Sequence, residues 1–230
     1  MSYMKFPVLW ALGLVLAVPL VVSAQVATTG EVSYDGLHKV KKTRVDGAWV
    51  KPDADFASYS KIIIEKIAFS YKRQPRSGHT RYSGSRRSDA NFELYQDQSE
   101  RFTGDLEKAF AEALSNSGYQ IVEDPGPDVM RLEAEMLDVI IKVPTDPAVG
   151  RERIYVRSFG EATLVTQLHD SESGEILARV VDRQSADAPG AGRNEFQMSM
   201  PNRAWSELNK IYRKWATSLA AGLEKLKKSG

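Results

Sequence analysis

The fold is decided by residues 126–136, which read Gly126-Pro127-Asp128-Val129-Met130-Arg131-Leu132-Glu133-Ala134-Glu135-Met136. The first residues have the composition of a turn, and apolar and charged residues alternate from Met130 onwards. Because successive side chains of a β-strand point to opposite faces, this alternation predicts a strand with one buried face and one polar face. The alternation ends at Leu137-Asp138, where we expect a bulge or the end of the strand.

Further segments on both sides have the patterns of strands and of two helices. Alternating or β-branched residues predict strands at residues 60–71, 119–122, 155–169 and 176–180. Apolar residues recur every third or fourth position over 97–118, where Asp97 or Ser99 caps the helix, and over 202–227. The order strand, helix, strand, meander, helix predicts an α/β two-layer sandwich, with a mixed, mostly antiparallel sheet of about four to six strands and both helices on one face.

The chain begins with the pattern of a targeting segment. Lys5 is the only charge before an apolar run over residues 6–22, and small residues lead up to a cut between Ala24 and Gln25. Residues 1–24 are therefore predicted to be a cleaved signal peptide. The alternative is an uncleaved N-terminal anchor oriented by the lysine.

The remainder of the chain divides into an arm and one domain. Residues 25–59 contain several glycines and turn residues and predict an extended N-terminal arm. Residues 60–230 predict a single α/β domain with a basic insertion at 72–96, which is too long for an ordinary connection.

The composition excludes several classes of protein. Loss of residues 1–24 removes one lysine and no acid, so the formal charge falls from +1 to zero, unlike that of a polybasic nucleic-acid binder. The chain has no cysteine, which excludes a disulfide framework, a thiol nucleophile, a thiolate metal site and the acylated cysteine of a lipoprotein. We expect a periplasmic or secreted bacterial protein that has no stable membrane anchor after cleavage.

Four stretches of the chain carry a family resemblance. They are residues 49–59 (WVKPDADFASY), 126–132 (GPDVMRL), 162–183, and the closing helix with Trp205 and Trp215. Together they resemble a family of bacterial secreted proteins of unknown function, many of them predicted lipoproteins. The motifs are turns, strands and core aromatics, so the resemblance implies no catalytic residue. Relatives often keep a lipidated cysteine where this chain has Ser23-Ala24-Gln25.

Candidate catalytic and metal-binding residues have simpler interpretations. The three histidines, His38, His79 and His169, lack metal-ligand spacing and are predicted to lie on the surface or in turns. Four acids lie in turns and are predicted to bond turn amides, with a metal site as the alternative; they are Asp53, Asp55, Asp124 and Asp128. No nucleophile elbow or phosphate loop occurs, so we predict no enzyme, catalytic residue, metal or cofactor.

The basic insertion is the strongest candidate contact. Six of its residues are predicted to bind an anionic partner; they are Arg73, Arg76, Arg81, Tyr82, Arg86 and Arg87. Arginine forks fit phosphate and carboxylate groups, and the tyrosine can border a ligand. The predicted partner is an envelope protein or an anionic envelope polymer, and nucleic acid is not expected in an exported protein. The alternative interpretation is a solvated loop.

These observations lead to one main functional hypothesis and two alternatives. We expect a non-enzymatic envelope accessory or binding module. The first alternative is a protein that binds an anionic polymer, or a small ligand in a pocket between the sheet and the helices. The second is a hydrolase whose catalytic residues come together only in the fold.

Overall fold

The computed structural model describes residues 28–72, 91–142, 155–156, 158–187, 197–198 and 201–229. The strands are β1 (Thr28–Val32), β2 (His38–Val40), β3 (Gly47–Val50), β4 (Lys61–Ile64), β5 (Ala68–Tyr71), β6 (Gln120–Ile121), β7 (Val129–Ile141), β8 (Tyr155–Val156), β9 (Ser158–Asp170), β10 (Ile176–Asp187) and β11 (Gln197–Met198). The helices are α1 (Gln96–Asn116) and α2 (Pro201–Ser229), with a short 3-10 turn at Phe56–Ser58.

Nine of these strands form one mixed sheet. Its order is β1-β2-β3-β10-β9-β7-β4-β6, and β5 also pairs with β7. Strand β4 runs parallel to β6 and β7, and β5 runs parallel to β7, whereas the other pairs of this sheet are antiparallel. The predicted α/β sandwich is confirmed, but the sheet has more strands than the four to six predicted. The extra strands arise because residues 28–50 form three strands and residues 60–71 form two.

Strand β7 follows the alternation of its sequence. Leu132 and Met136 are fully buried beneath the helices, while the charged residues between them lie on the opposite face. The pairing with β9 shifts between Leu137 and Ile140, and Asp138 has a φ of 54°. The expected bulge is therefore confirmed. A Cβ atom at Gly160 would lie 2.5 Å from the carbonyl oxygen of Ile140, so only glycine lets β9 approach the bulge this closely.

Both helices cover the same face of the sheet with their apolar stripes. The buried members of these stripes include Phe102, Leu106, Phe110 and Leu114 of α1, and Tyr212, Trp215, Leu219 and Leu223 of α2. The predicted cap at Asp97 or Ser99 is wrong, because α1 begins after Tyr95, whose N–H donates to the Gln98 side chain over 3.1 Å. Gly118 ends the helix with a φ of 85°.

Two buried hydrogen bonds fix α2 in place. The Tyr212 hydroxyl donates to the carbonyl oxygen of Phe102 on α1 over 2.7 Å. The Trp215 indole N–H donates to the Asp182 carboxylate on β10 over 2.8 Å. Buried polar groups need such partners, so these two contacts define how the helix lies against its neighbours.

The N-terminal part of the chain reaches the sheet through β3. Strands β1, β2 and β3 are antiparallel, and Val50 of β3 pairs with Ala178 of β10. Three segments within residues 28–50, namely β1, β2 and β3, thus belong to the sheet. The predicted signal peptide, residues 1–24, and the residues of its cut, Ala24 and Gln25, lie outside the described residues. In the described parts of the chain, the helices lack the length of apolar sequence that crossing a bilayer requires.

Candidate functional site

All six residues predicted to contact a partner lie outside the described residues; they are Arg73, Arg76, Arg81, Tyr82, Arg86 and Arg87. His79 also lies outside the described residues. The contact at the basic insertion therefore stays a prediction.

The remaining histidines lie on the sheet. His38 is half-buried on β2. The Nδ1 atom of His169 lies 3.1 Å from the carbonyl oxygen of Gly174, and its Nε2 atom lies 3.7 Å from the Glu133 carboxylate. Within the described residues, no group of three or more His, Cys, Asp or Glu side chains converges as a metal site requires.

Two of the candidate acids serve turns. The Asp55 carboxylate accepts a hydrogen bond of 3.0 Å from the N–H of Ala57 and caps the 3-10 turn. The Asp128 carboxylate accepts a hydrogen bond of 2.6 Å from Ser60 and pairs with Lys61 at 3.2 Å. These bonds from Ser60 and Lys61 lower the pKa of Asp128. Both acids thus have local structural roles.

A space suited to a ligand lies between α2 and the sheet. This large cavity has a volume of about 430 Å³ and lies between residues 40–50, the helix-facing side of β9 and β10, and α2 from Trp215 to Ser229. Its walls are mainly apolar and include Val50, Leu164, Leu168, Leu219 and Leu223.

Four cations line the large cavity where it meets solvent. We call Lys41, Lys42, Arg44 and Lys225 the cationic rim; all four are exposed. Among the described residues, none of the four forms an ion pair with a carboxylate. Their charges are therefore available to a bound anion.

One carboxylate, that of Asp182, also lines the large cavity. The residue is 3% exposed. Its oxygens accept hydrogen bonds from the N–H of Asp46 at 3.2 Å, from Gln184 at 2.7 Å and from Trp215 at 2.8 Å. Nearby Thr166 is also 3% exposed, and its hydroxyl forms no hydrogen bond with a described residue. The buried polar side chains of the wall are thus one acid that accepts three hydrogen bonds and one free hydroxyl.

Gly222 leaves part of the large cavity open. It lies within α2, lines the cavity, and a Cβ atom placed on it would meet no atom within 4 Å. Glycine inside a helix costs about 1 kcal/mol relative to alanine. The absence of a side chain here relieves no clash within the described structure; it keeps space empty.

A small cavity lies beside the first half of α2. Its volume is about 100 Å³, and its lining includes Phe102, Phe159, Trp205 and Leu208. Trp215 lines both cavities and separates them. The lysines and arginines of the described chain do not line the small cavity, so the cationic rim distinguishes the large one.

A pocket between the sheet and the helices was among the functions expected from the sequence, but its residues were not predicted. The available signal was Lys41-Lys42-Thr43-Arg44, three cations in four positions between short strands. Their relation to Lys225 could not be seen, because the two segments lie at opposite ends of the chain.

Three solved structures show distant similarity. The PelC dodecamer from Paraburkholderia phytofirmans is 10% identical, with a TM-score of 0.36 over 72% of this chain and 91% of that chain. A DUF330 protein from Xanthomonas campestris is 12% identical, with a TM-score of 0.40 over 70% and 82%. A minor lipoprotein from Acinetobacter baumannii is 12% identical, with a TM-score of 0.32 over 73% and 94%.

No curated protein matches the chain in sequence. One family model, described as a protein of unknown function, matches residues 28–219. This match confirms the resemblance to a family of unknown function that the turn, strand and helix motifs predicted. The chain belongs to the DUF3313 family.

Proposed function

We propose that this chain is a non-enzymatic binding protein of the bacterial envelope that holds an apolar small molecule in the large cavity. The observation that supports the proposal is the cavity itself. Its volume of about 430 Å³ falls within the range of about 300–1,000 Å³ typical of ligand sites. Mostly apolar walls with a few polar groups are also typical of such sites.

The polar groups of the large cavity favour binding over catalysis. A general base needs a free acceptor within reach of its substrate. The Asp182 carboxylate already accepts hydrogen bonds from Trp215, Gln184 and the backbone of Asp46. Apart from this acid, the residues that line the cavity include no carboxylate and no histidine that could serve Thr166 as a base. The arrangement therefore suits a ligand that is held rather than transformed.

The place of action in the proposal comes from residues 1–24. We expect the full chain, expressed with this segment, to be recovered from the periplasm with Gln25 as its first residue. Fractionation followed by N-terminal sequencing measures this. Recovery in the membrane fraction with an intact N-terminus would instead support the uncleaved anchor.

Binding is tested on the protein recovered from that expression. Native mass spectrometry and organic extraction are expected to find a co-purifying apolar molecule. Gly222→Phe fills the space beside α2, so we expect the variant to fold and to carry no such molecule. Gly104→Phe is the matched control, because a Cβ atom at Gly104 of α1 also meets no atom within 4 Å and Gly104 lines neither cavity.

Three results would contradict binding in the large cavity. The first is a wild-type protein that carries no molecule and that no member of a panel of apolar ligands stabilises against heat. The second is an equal amount of bound molecule in the wild type and the Gly222→Phe protein. The third is loss of the bound molecule in the Gly104→Phe control alone.

A second contact is proposed at the basic insertion. Six cations lie between residues 72 and 87, before the first acid at Asp89. Charge reversal of Arg81, Arg86 and Arg87 together is expected to leave folding intact and to abolish crosslinking to an anionic envelope partner in cells. Crosslinking that survives this triple change at low salt would remove the insertion from the proposal.

A further inference from the structure

We infer that the large cavity binds a single-chain anionic amphiphile, a molecule of the fatty-acid kind, with its carboxylate at the cationic rim and its alkyl chain against the apolar walls. This inference rests on the proposed function and names the class of its ligand. It follows from the distribution of charge around the large cavity, from the position of its acid and from the space beside Gly222.

The charge of the lining is strongly one-sided. The lining contains the four cations of the rim and one carboxylate, that of Asp182. Since the whole protein has a formal net charge of +1, this excess is local. The other arginines on the sheet, Arg131, Arg179 and Arg183, pair with carboxylates, whereas the rim cations do not. Unpaired cations at the mouth of an apolar space attract an anion.

The buried acid sets the orientation of the ligand. The Asp182 carboxylate lies in the wall, 3% exposed, beside Trp215. Like charges repel more strongly in a low-dielectric interior than in water. A ligand carboxylate is therefore disfavoured near Asp182 and favoured at the exposed rim, which leaves the alkyl chain to enter the cavity.

The walls accept an alkyl chain. Leucines and valines from β3, β9 and α2 face the space, and Gly222 keeps it open along the helix. Each methylene buried there contributes about 0.8 kcal/mol. This corresponds to a Kd that falls about fourfold for each added methylene until the cavity is full.

The test is isothermal titration calorimetry on protein that has been expressed as the full chain and then delipidated. Each ligand is kept below its critical micelle concentration. We expect the Kd to fall about fourfold per methylene from octanoate to decanoate. Decanoate is expected to bind at least about tenfold more tightly than decanol, and decyltrimethylammonium more weakly than both.

Variants of the rim separate charge from apolar contact. Lys42→Glu combined with Arg44→Glu is expected to weaken decanoate binding about tenfold and to leave decanol binding unchanged. The matched control is Lys66→Glu with Lys108→Glu, two exposed lysines that line neither cavity, and it is expected to change neither ligand.

The orientation has its own variant. Thr166→Val removes the buried free hydroxyl of the wall and nearly preserves the shape of the side chain. If the carboxylate lies at the rim, this change leaves the Kd of decanoate within about twofold. A tenfold loss would place the carboxylate at Thr166 and overturn the orientation that we infer.

The outcomes distinguish this inference from the proposed function. Equal binding of decanoate and decanol, with no effect of the rim variant, would overturn the anionic ligand and leave the apolar binding protein standing. Absence of binding by all three ligands, or equal binding by the Gly222→Phe protein, would contradict both. Loss of decanoate alone in the rim variant supports both.

Discussion

The two faces of the sheet use charged residues in opposite ways. On the open face, away from the helices, cations form ion pairs with acids; the pairs are Lys39–Glu31, Arg179–Asp35, Arg131–Glu133 and Arg183–Glu161. Register places Arg179 of β10 directly opposite Gln167 of β9 and Trp49 of β3. On the covered face, the cations of the rim have no such partners.

This difference separates charges that support the fold from charges that are free to bind. The Arg179 and Asp35 side chains are only 14% and 16% exposed, so each holds the other in place. The rim cations are exposed and surround an apolar space. Substitutions on the open face should therefore change stability, and substitutions at the rim should change ligand binding.

The largest contrast is between two tryptophans. Trp215→Ala on the covered face is expected to lower the free energy of unfolding by about 4 kcal/mol, because it merges the two cavities and removes a hydrogen bond from Asp182. Trp49→Ala on the open face removes a half-buried ring that lies beneath Lys39, and is expected to cost about 1–2 kcal/mol. Urea denaturation measures both; equal losses would contradict the assignment of the core to one face.

The next contrast is between two cations. Arg179→Met is expected to lower the free energy of unfolding by about 1.5 kcal/mol, because Asp35 loses its partner. Lys42→Met, at the rim, is expected to change it by less than about 0.5 kcal/mol. If both variants lose the same stability in urea, the rim has a structural role that the contacts do not show.

The same pair predicts a pH dependence. Burial raises the pKa of Asp35, but hydrogen bonds from Ser33 and Arg179 outweigh it, so the pKa is lowered from 3.8. A lowered pKa gives stability that is present above the unfolded value and is lost as pH falls through the folded value. The difference in stability between wild type and Arg179→Met should therefore shrink below about pH 3.8. A difference that stays constant into acid would show that Asp35 is not the group involved.

The smallest contrast concerns the two helix glycines. Gly222→Ala and Gly104→Ala are each expected to raise the free energy of unfolding by about 0.5–1 kcal/mol, because alanine favours a helix and both positions have room for a Cβ atom. Thermal unfolding measures both. A loss of stability for Gly222→Ala alone would mean that the space beside α2 is smaller than the structure shows.

Local patterns predicted those elements that depend on nearby residues. The alternation from Met130 to Met136, the bulge at Asp138 and the two helices follow from periods of two and about four. The short strands β1–β3 were not predicted, because three to five residues broken by Gly36 and Gly47 carry little pattern. Of the three, β3 pairs with β10, more than a hundred residues away, and β2 and β1 extend the sheet from β3.

The candidate site was not predicted either, because it too depends on segments that are distant in the sequence. Its rim joins residues 41–44 to Lys225, and its wall joins β9 to Gly222. Within its own segment, none of these residues indicates a binding site. The cations are typical of a solvated turn, and the glycine only lowers the helix propensity of its segment. Only the fold brings them to one space.

The position of the large cavity has a consequence for the local stability of the chain. Its walls come from residues 40–50 and from the last fifteen described residues, so the proposed ligand would contact two segments that are far apart in a sequence without cysteine. A ligand that binds only the native structure suppresses its local unfolding. Hydrogen exchange should therefore slow together in β2–β3 and at the end of α2 when the ligand binds. The proposed ligand would thereby act as a removable crosslink between two segments far apart in the sequence.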